Sequence, residues 1–262
     1  MSLDEAALAA AYDAARAAED AGDLATATRL FERCLELDPE DHCGVVMRLA
    51  KYGRATPQAA PPSYVATLFG QHAETFDRIL VGDLGYDVPA LARRLAGPFV
   101  TRPPVRILDL GCGTGLAGLA FADLASDIVG VDLAEEMLEM TDQRDIYGDL
   151  YVAEAVNFLE EWDEAPFDLI VAADVWPYLG DLAAFAAAAA RCLVPGGVLV
   201  ASTERAEDGW RVTPTQRFAH APAYVRATHA AAGFAPLAEE PITVRHEEGV
   251  PVPGDLFVFE AR

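Results

Sequence analysis

From Arg106 to Ser202 short apolar runs alternate with longer stretches whose apolar residues return every three or four positions. The runs with strand character are Arg106–Leu110, Asp127–Val131, Leu150–Ala153, Phe167–Ala172 and Gly197–Ser202. Between them, Gly115–Ala125, Glu135–Gln143, Val156–Glu161 and Leu182–Leu193 have the helical period. A strand–helix–strand crossover returns the chain to the same end of a sheet, so such strands lie parallel with helices on both faces. The pattern therefore predicts an α/β fold with a doubly wound, mostly parallel sheet of seven strands. After a further helix at Pro222–Ala232, the runs Ile242–His246 and Asp255–Glu260 flank a turn rich in glycine and proline. That turn predicts an antiparallel hairpin at the C-terminal edge of the sheet.

The N-terminal segment reads differently. Leu3 to Lys51 is alanine-rich and helical, with Gly22 supplying a turn and Pro39 ending the second helix. Ala27, Phe31, Cys34 and Leu35 share one face, so residues 1–51 are expected to form a small all-α hairpin. A single hairpin cannot bury that face alone. It should lean on the remainder of the chain or on a second copy, which makes a homodimer an expectation. Tyr52–Ser63, with Gly53, Pro57, Pro61 and Pro62, reads as a stiff linker leading into a domain at 64–262. That domain should begin with helices at Tyr64–Leu80, carrying Phe69, His72 and Phe76, and at Pro89–Leu95.

Composition narrows the field. Of 262 residues 52% are hydrophobic, enough for a large core, yet no run reaches the roughly 18 apolar residues of a membrane span. The net charge is −23, from 42 acids against 19 bases, a field that repels phosphate backbones and disfavours nucleic-acid partners. Cys34, Cys43, Cys112 and Cys192 form no CxxC pair, which suits a reducing cytoplasm and predicts no metal site. The acidic, alanine-rich start around Asp4 and Glu5 is unlike a secretory signal, and cytoplasmic residence is expected.

Candidate chemistry concentrates at two strand ends. In Val105–Leu116 a buried strand runs into Gly111, Cys112, Gly113, Thr114 and Gly115 before a helix. Glycines let a backbone pass close to a ligand. Asp109, two residues ahead of the first glycine, would oppose a pyrophosphate and favour a cationic amino group. Leu116 also stands where the dinucleotide fingerprint needs its last glycine. Asp132 closes the next strand, where an acid can accept both hydroxyls of a ribose or cap the following helix.

Asp109-Leu110-Gly111-Cys112-Gly113-Thr114-Gly115 followed by Gly130-Val131-Asp132-Leu133 resembles motif I and its successor in class I S-adenosylmethionine-dependent methyltransferases, over roughly Tyr64 to Arg262. The resemblance implies a Rossmann-like methyltransferase fold, S-adenosylmethionine as methyl donor and S-adenosylhomocysteine as product. It places the amino-acid end of the donor over Asp109, Gly111 and Gly113, with Cys112 in the same turn. Asp132 would hold the ribose, Leu133 and Met137 would flank the adenine, and Glu154 with Ala155 would face its edge. Ala173, ending the fourth strand, would border the methyl group, and Phe69 and Phe76 would cover the cofactor as a lid. The N-terminal segment and Ala173–Asp181 together resemble bacterial methyltransferases that carry a tetratricopeptide repeat.

The acceptor would be a small molecule or a protein side chain, attacked in line through N, O or C. Asp174, Trp176 and Tyr178 should line the methyl-facing pocket, and His220 is a candidate proton acceptor near pH 7. Asp174, Tyr178 and His220 are thus the catalytic candidates. Asn-Pro-Pro-Tyr, the signature of amide and adenine amino methylation, is absent after the fourth strand. Two rivals remain: a nicotinamide-dependent oxidoreductase, and an adaptor whose helical N-terminus captures a partner ahead of a non-catalytic domain.

Overall fold

The computed structural model describes residues 4–262, so Leu3, the expected start of the first helix, lies outside the described residues. Helix α1 (Glu5–Asp20) and α2 (Leu24–Leu37) form the expected hairpin, each started by an aspartate. Asp4 accepts from the Ala7 amide at 3.0 Å and Asp23 from that of Thr26 at 3.1 Å, pairing amides that a helix start leaves free. Leu8, Ala15, Ala27, Phe31 and Cys34 fill the seam. The second helix ends just ahead of Pro39, as expected, and a third helix, α3 (Val45–Lys51), follows it. Asp41 starts it: its buried carboxylate accepts from the amides of Val45 at 2.6 Å and Val46 at 2.9 Å.

The hairpin's free face is covered within the chain. Met47 on α3, fully buried, meets Tyr178 and Phe218 of the sheet domain. The hairpin therefore needs no second copy of the chain to bury that face. The presumed linker is also no free spacer. Ala60 donates its amide to the Tyr178 carbonyl at 2.8 Å, and Gln58 accepts from the amide of Gly180 at 2.7 Å.

The sheet domain opens with α4 (Pro62–Gly70), which is shorter than the helix expected over Tyr64–Leu80. A 3₁₀ turn at Ala73–Thr75 and a wide π turn at Arg78–Asp83 follow, and α5 (Val88–Ala96) matches expectation within a residue at each end. The strands are β1 (Val105–Leu110), β2 (Ala125–Asp132), β3 (Asp149–Val152), β4 (Phe167–Ala172) and β5 (Leu193–Arg205). Their spatial order is β3-β2-β1-β4-β5, all parallel. The helices between them are α6 (Leu116–Phe121), α7 (Glu135–Asp142), α8 (Ala155–Glu161) and α9 (Ala183–Cys192), with α10 (Pro222–Ala231) later. The apolar faces of α8, α9 and α10 close one side of the sheet around Phe158, Phe185 and Val225. On the other side α5 and α6 bury Ala92, Ala96 and Phe121.

Among the described residues the sheet has nine strands rather than seven. The predicted edge hairpin is present but longer, as β8 (Phe234–Glu247) and β9 (Val250–Ala261), with β9 antiparallel to β5. The two additional strands, β6 (Trp210–Val212) and β7 (Phe218–His220), form a short hairpin whose second arm continues beside the last residues of β5. Three-residue strands carry too few side chains to show a period, which is why the sequence pattern passes over them. They matter because they carry the apolar surface on which α3 rests.

Candidate functional site

The parallel strands end at one edge, and a cavity of about 460 Å³ opens there between the ends of β1, β2 and β4 and the segment from Gln58 to Pro89. This is where an open α/β sheet binds ligands. The turn after β1 forms part of the wall: Gly111, Gly113 and Gly115 have φ of 61°, 54° and 85°, values that favour glycine. A side chain at Gly111 would strike Val175 Cγ2 at 2.7 Å, whereas the Gly113 backbone stands open beneath the Phe76 ring.

Asp132 fixes that turn. One carboxylate oxygen accepts from the Gly113 amide at 2.9 Å and the other from the Ala134 amide at 2.9 Å. Helix capping leaves room for a ligand role, because each oxygen has a second lone pair and Asp132 lines the cavity. Burial raises the Asp132 pKa, and the backbone hydrogen bonds oppose that rise. Leu133, Glu154 and Ala155 join the same wall, and Glu154 also caps α8 by accepting from the Asn157 amide at 2.8 Å. Cys112 and Ala173 line it as well.

Phe69 and Phe76 stand over this wall, edge to face with ring centres 5.8 Å apart. The helix expected to carry both breaks between them, and a latch missed by sequence reading holds the second. Asp77 accepts from Arg144 at 2.6 Å and from the Thr114 hydroxyl, and Arg144 also donates to the Thr114 carbonyl. The covering segment is thereby tied to the glycine turn itself.

Four expected positions are corrected. Asp109 does not reach the cavity wall; it lies behind the turn, where one oxygen accepts from the Gly118 amide at 3.0 Å and from the Tyr147 hydroxyl at 2.6 Å. Met137 is fully buried against Ala73 and Ala134, a layer behind the wall, because its side of α7 faces the covering segment. Trp176 turns inward onto Phe185 and His229, since a 3₁₀ turn rotates about 120° per residue and so points Trp176 and Tyr178 in different directions. His220 is fully buried in β7 and does not line the cavity. Its Nε2 faces the Gly180 carbonyl at 3.0 Å, so Nε2 carries the proton, and Nδ1 accepts from the Thr203 hydroxyl at 2.6 Å. Burial lowers its pKa to about 4. With both nitrogens engaged it fastens β7 to β5 and has no lone pair for a substrate.

Asp174 and Tyr178 do face the cavity. Behind them lies an ionic cluster whose pairing has no local sequence signal: Arg217 lies 3.6 Å from Asp174 and 4.0 Å from Glu204, and Arg245 donates to Glu204 and Glu247, each at 2.6 Å. Among the described residues the wall holds Asp132, Glu154, Asp174 and Asp181 but no lysine, arginine or histidine. Such a wall opposes phosphate and accommodates a cationic ligand. No cluster of three or more metal-ligating side chains occurs among the described residues, and no described helix is long and apolar enough to cross a membrane.

Burial pushes the Asp109 carboxyl up to about 7. A carboxyl raised in the folded state holds its proton after the unfolded chain has released it. Its stabilising contribution is therefore present below about pH 4 and lost as the pH rises to about 7. Asp109→Asn should flatten the decline of melting temperature between pH 4 and pH 7; an unchanged slope would remove Asp109 as its source.

The sheet order, the edge hairpin and the glycine turn facing a cavity define the fold of S-adenosylmethionine-dependent methyltransferases. Residues 108–201 match the family model described as a methyltransferase domain. A ubiquinone biosynthesis O-methyltransferase of Maricaulis maris (strain MCS10) is 33% identical over 103 residues, covering 38% of this chain and 40% of that protein. The chain thus spans well under half the length of this curated relative. Among solved structures, magnesium protoporphyrin IX methyltransferase from Synechocystis PCC 6803 with bound S-adenosylmethionine aligns with a TM-score of 0.56 at 14% identity, over 77% of this chain and 97% of that one. The cyclase SpnF aligns with a TM-score of 0.55 at 20% identity, over 66% and 80% respectively. A cyclase on the same scaffold means that the activity has to be argued from the site.

Proposed function

We propose that this chain transfers a methyl group from S-adenosylmethionine to a small-molecule acceptor and releases S-adenosylhomocysteine. One observation carries the reading: an open glycine turn is clamped by Asp132 beside a cavity whose wall has four acids and no base. When bound, the donor supplies an electrophilic methyl group on a sulfonium. The matched methyltransferase domain supports the assignment, and the relative named as an O-methyltransferase favours a small-molecule acceptor over a protein side chain.

The chain's own residues supply binding and enclosure. Asp132 accepts the ribose hydroxyls, Leu133, Glu154 and Ala155 flank the base, and Gly111 and Gly113 let the amino-acid end approach the backbone. Phe69 and Phe76, latched through Asp77, exclude water, which keeps the reacting groups in a low-dielectric site. Asp174 and Tyr178 face the acceptor. The three N-terminal helices act as a brace, because Met47 supports the turn that carries Tyr178. A repeat-like partner surface would have to use their other faces.

Isothermal titration of the full chain should show tight S-adenosylmethionine and S-adenosylhomocysteine binding and none for NADH. Tight NADH binding alone would replace this reading with that of an oxidoreductase.

A further inference from the structure

From Gln71 to Asp83 the chain covers the cofactor cavity, with Phe76 and Leu80 in its wall, yet packs little of itself away. Of its described residues only Ala73 is buried, and its backbone runs through a 3₁₀ turn and a π turn. A segment with so few buried contacts opens locally at low cost. Among the described residues a single side chain ties it to the rest of the molecule by hydrogen bonds or ion pairs. Asp77 accepts from Arg144 Nη2 at 2.6 Å and from the Thr114 hydroxyl. The segment's other polar side-chain contacts are internal: Arg78 to Asp83 at 3.6 Å, and Thr75 to the His72 carbonyl at 3.3 Å.

Arg144 holds both sides of that tie. It donates through Nε to the Thr114 carbonyl, in the glycine turn, and through Nη2 to Asp77. Its planar fork fixes the covering segment and the turn in one relation. Gly115 leaves room for its stem, since a Cβ there would press on Arg144 Cδ at 2.9 Å. A second cavity, of about 300 Å³, adjoins the join. Thr114 lines both cavities, whereas Asp77 and Arg144 line the second one beside the exposed Glu74 and Gln143. The three bonded residues thus stand between the cofactor cavity and a space that reaches the surface. Their ion pair is built to break: the Arg144 and Asp77 side chains are 22% and 45% exposed, and water competes for such charges. The Arg245–Glu204 pair, at 1% and 5%, is the opposite case.

We propose, on the methyl-transfer reading above, that Arg144 is a positioning residue of the donor site: by joining Asp77 to Thr114 it holds Phe76 over the bound donor, and breaking that join opens the cofactor cavity to the second one so that donor and product exchange there. A closed latch slows passage in both directions, so association and dissociation both carry its signature. A residue that only shaped the binding wall would act on dissociation alone.

The test uses the full chain, immobilised for surface plasmon resonance, with S-adenosylhomocysteine as the probe and melting temperature as the control for folding. Asp77→Ala removes the tie but leaves the Arg144 bond to the Thr114 carbonyl in place, and it truncates a side chain that is 45% exposed, so folding is not at stake. Asp77→Ala and Arg144→Met should each raise both the association and the dissociation rate about fivefold, the scale of one partly exposed ion pair. The dissociation constant should change by less than either rate. The double variant should match the single ones rather than exceed them, because both remove the same join. Wild-type rates in Asp77→Ala, or faster dissociation with unchanged association, overturn the proposal and leave the methyl-transfer reading standing. Failure of the wild-type chain to bind S-adenosylhomocysteine overturns both.

Discussion

Asp132→Ala should weaken S-adenosylmethionine binding by about 3 kcal/mol, roughly a hundredfold. Asp132 does two jobs with one carboxylate. It holds the Gly113 and Ala134 amides, each at 2.9 Å, and it lines the cavity. Alanine strands both amides and leaves the ribose hydroxyls without an acceptor, so the turn loosens as the ligand loses its anchor. Asp132→Asn separates the two contributions. Its single acceptor oxygen can serve one amide only, and its NH₂ cannot accept, so a smaller loss of about tenfold is expected. Titration calorimetry on the three proteins, with melting temperature as a control for folding, measures both steps. An unchanged dissociation constant in Asp132→Ala would remove Asp132 from the cofactor site and weaken the methyltransferase assignment.

Local rules made the turn and Asp132 legible. A strand, glycines at fixed spacing and an acid at the next strand end all act within about 30 residues, and the parallel sheet follows from the alternation itself. Legibility failed where a side chain's partner lies on a distant strand. Arg217, Glu204 and Arg245 are unremarkable charges in the sequence, and only the pairing of β5 with β7 and β9, and of β9 with β8, brings them behind Asp174. His220 went wrong for the same reason: β7 turns a residue expected in an open loop into a buried strand position. Tyr147 left a trace. Gly118 inside α6 and Gly130 inside β2 are costly where they stand, and a Cβ at either would collide with the Tyr147 ring. Two interior glycines indicate that something approaches closely there, although not what. Asp174 was legible as a position after the fourth strand, but its left-handed backbone and unpaired oxygen required the fold.

Arg245→Met should destabilise the protein by about 3–5 kcal/mol, the range seen when a buried ion pair loses one partner. Arg245 is 1% exposed and donates to Glu204 and Glu247 at 2.6 Å, and the Glu204 side chain is 5% exposed. Methionine fills comparable space but leaves Glu204 buried with only Arg217, 4.0 Å away. At a chain of this size the loss corresponds to a fall in melting temperature of roughly 10 °C. The pH dependence identifies the cause. Burial already raises the Glu204 pKa against the pull of Arg245, and removing that pull raises it further. A carboxyl raised in the folded state costs nothing below its unfolded pKa, and the penalty grows as the pH climbs to the folded one. The deficit of Arg245→Met should therefore be smaller at pH 5 than at pH 8. Combining it with Glu204→Gln should recover most of the loss at pH 8, because no buried charge is then left unpaired. An equal deficit at both pH values, with no recovery in the double variant, would mean that Arg245 stabilises the sheet by packing alone. The cluster would then contribute little to holding Arg217 and Asp174 at the acceptor end of the cavity.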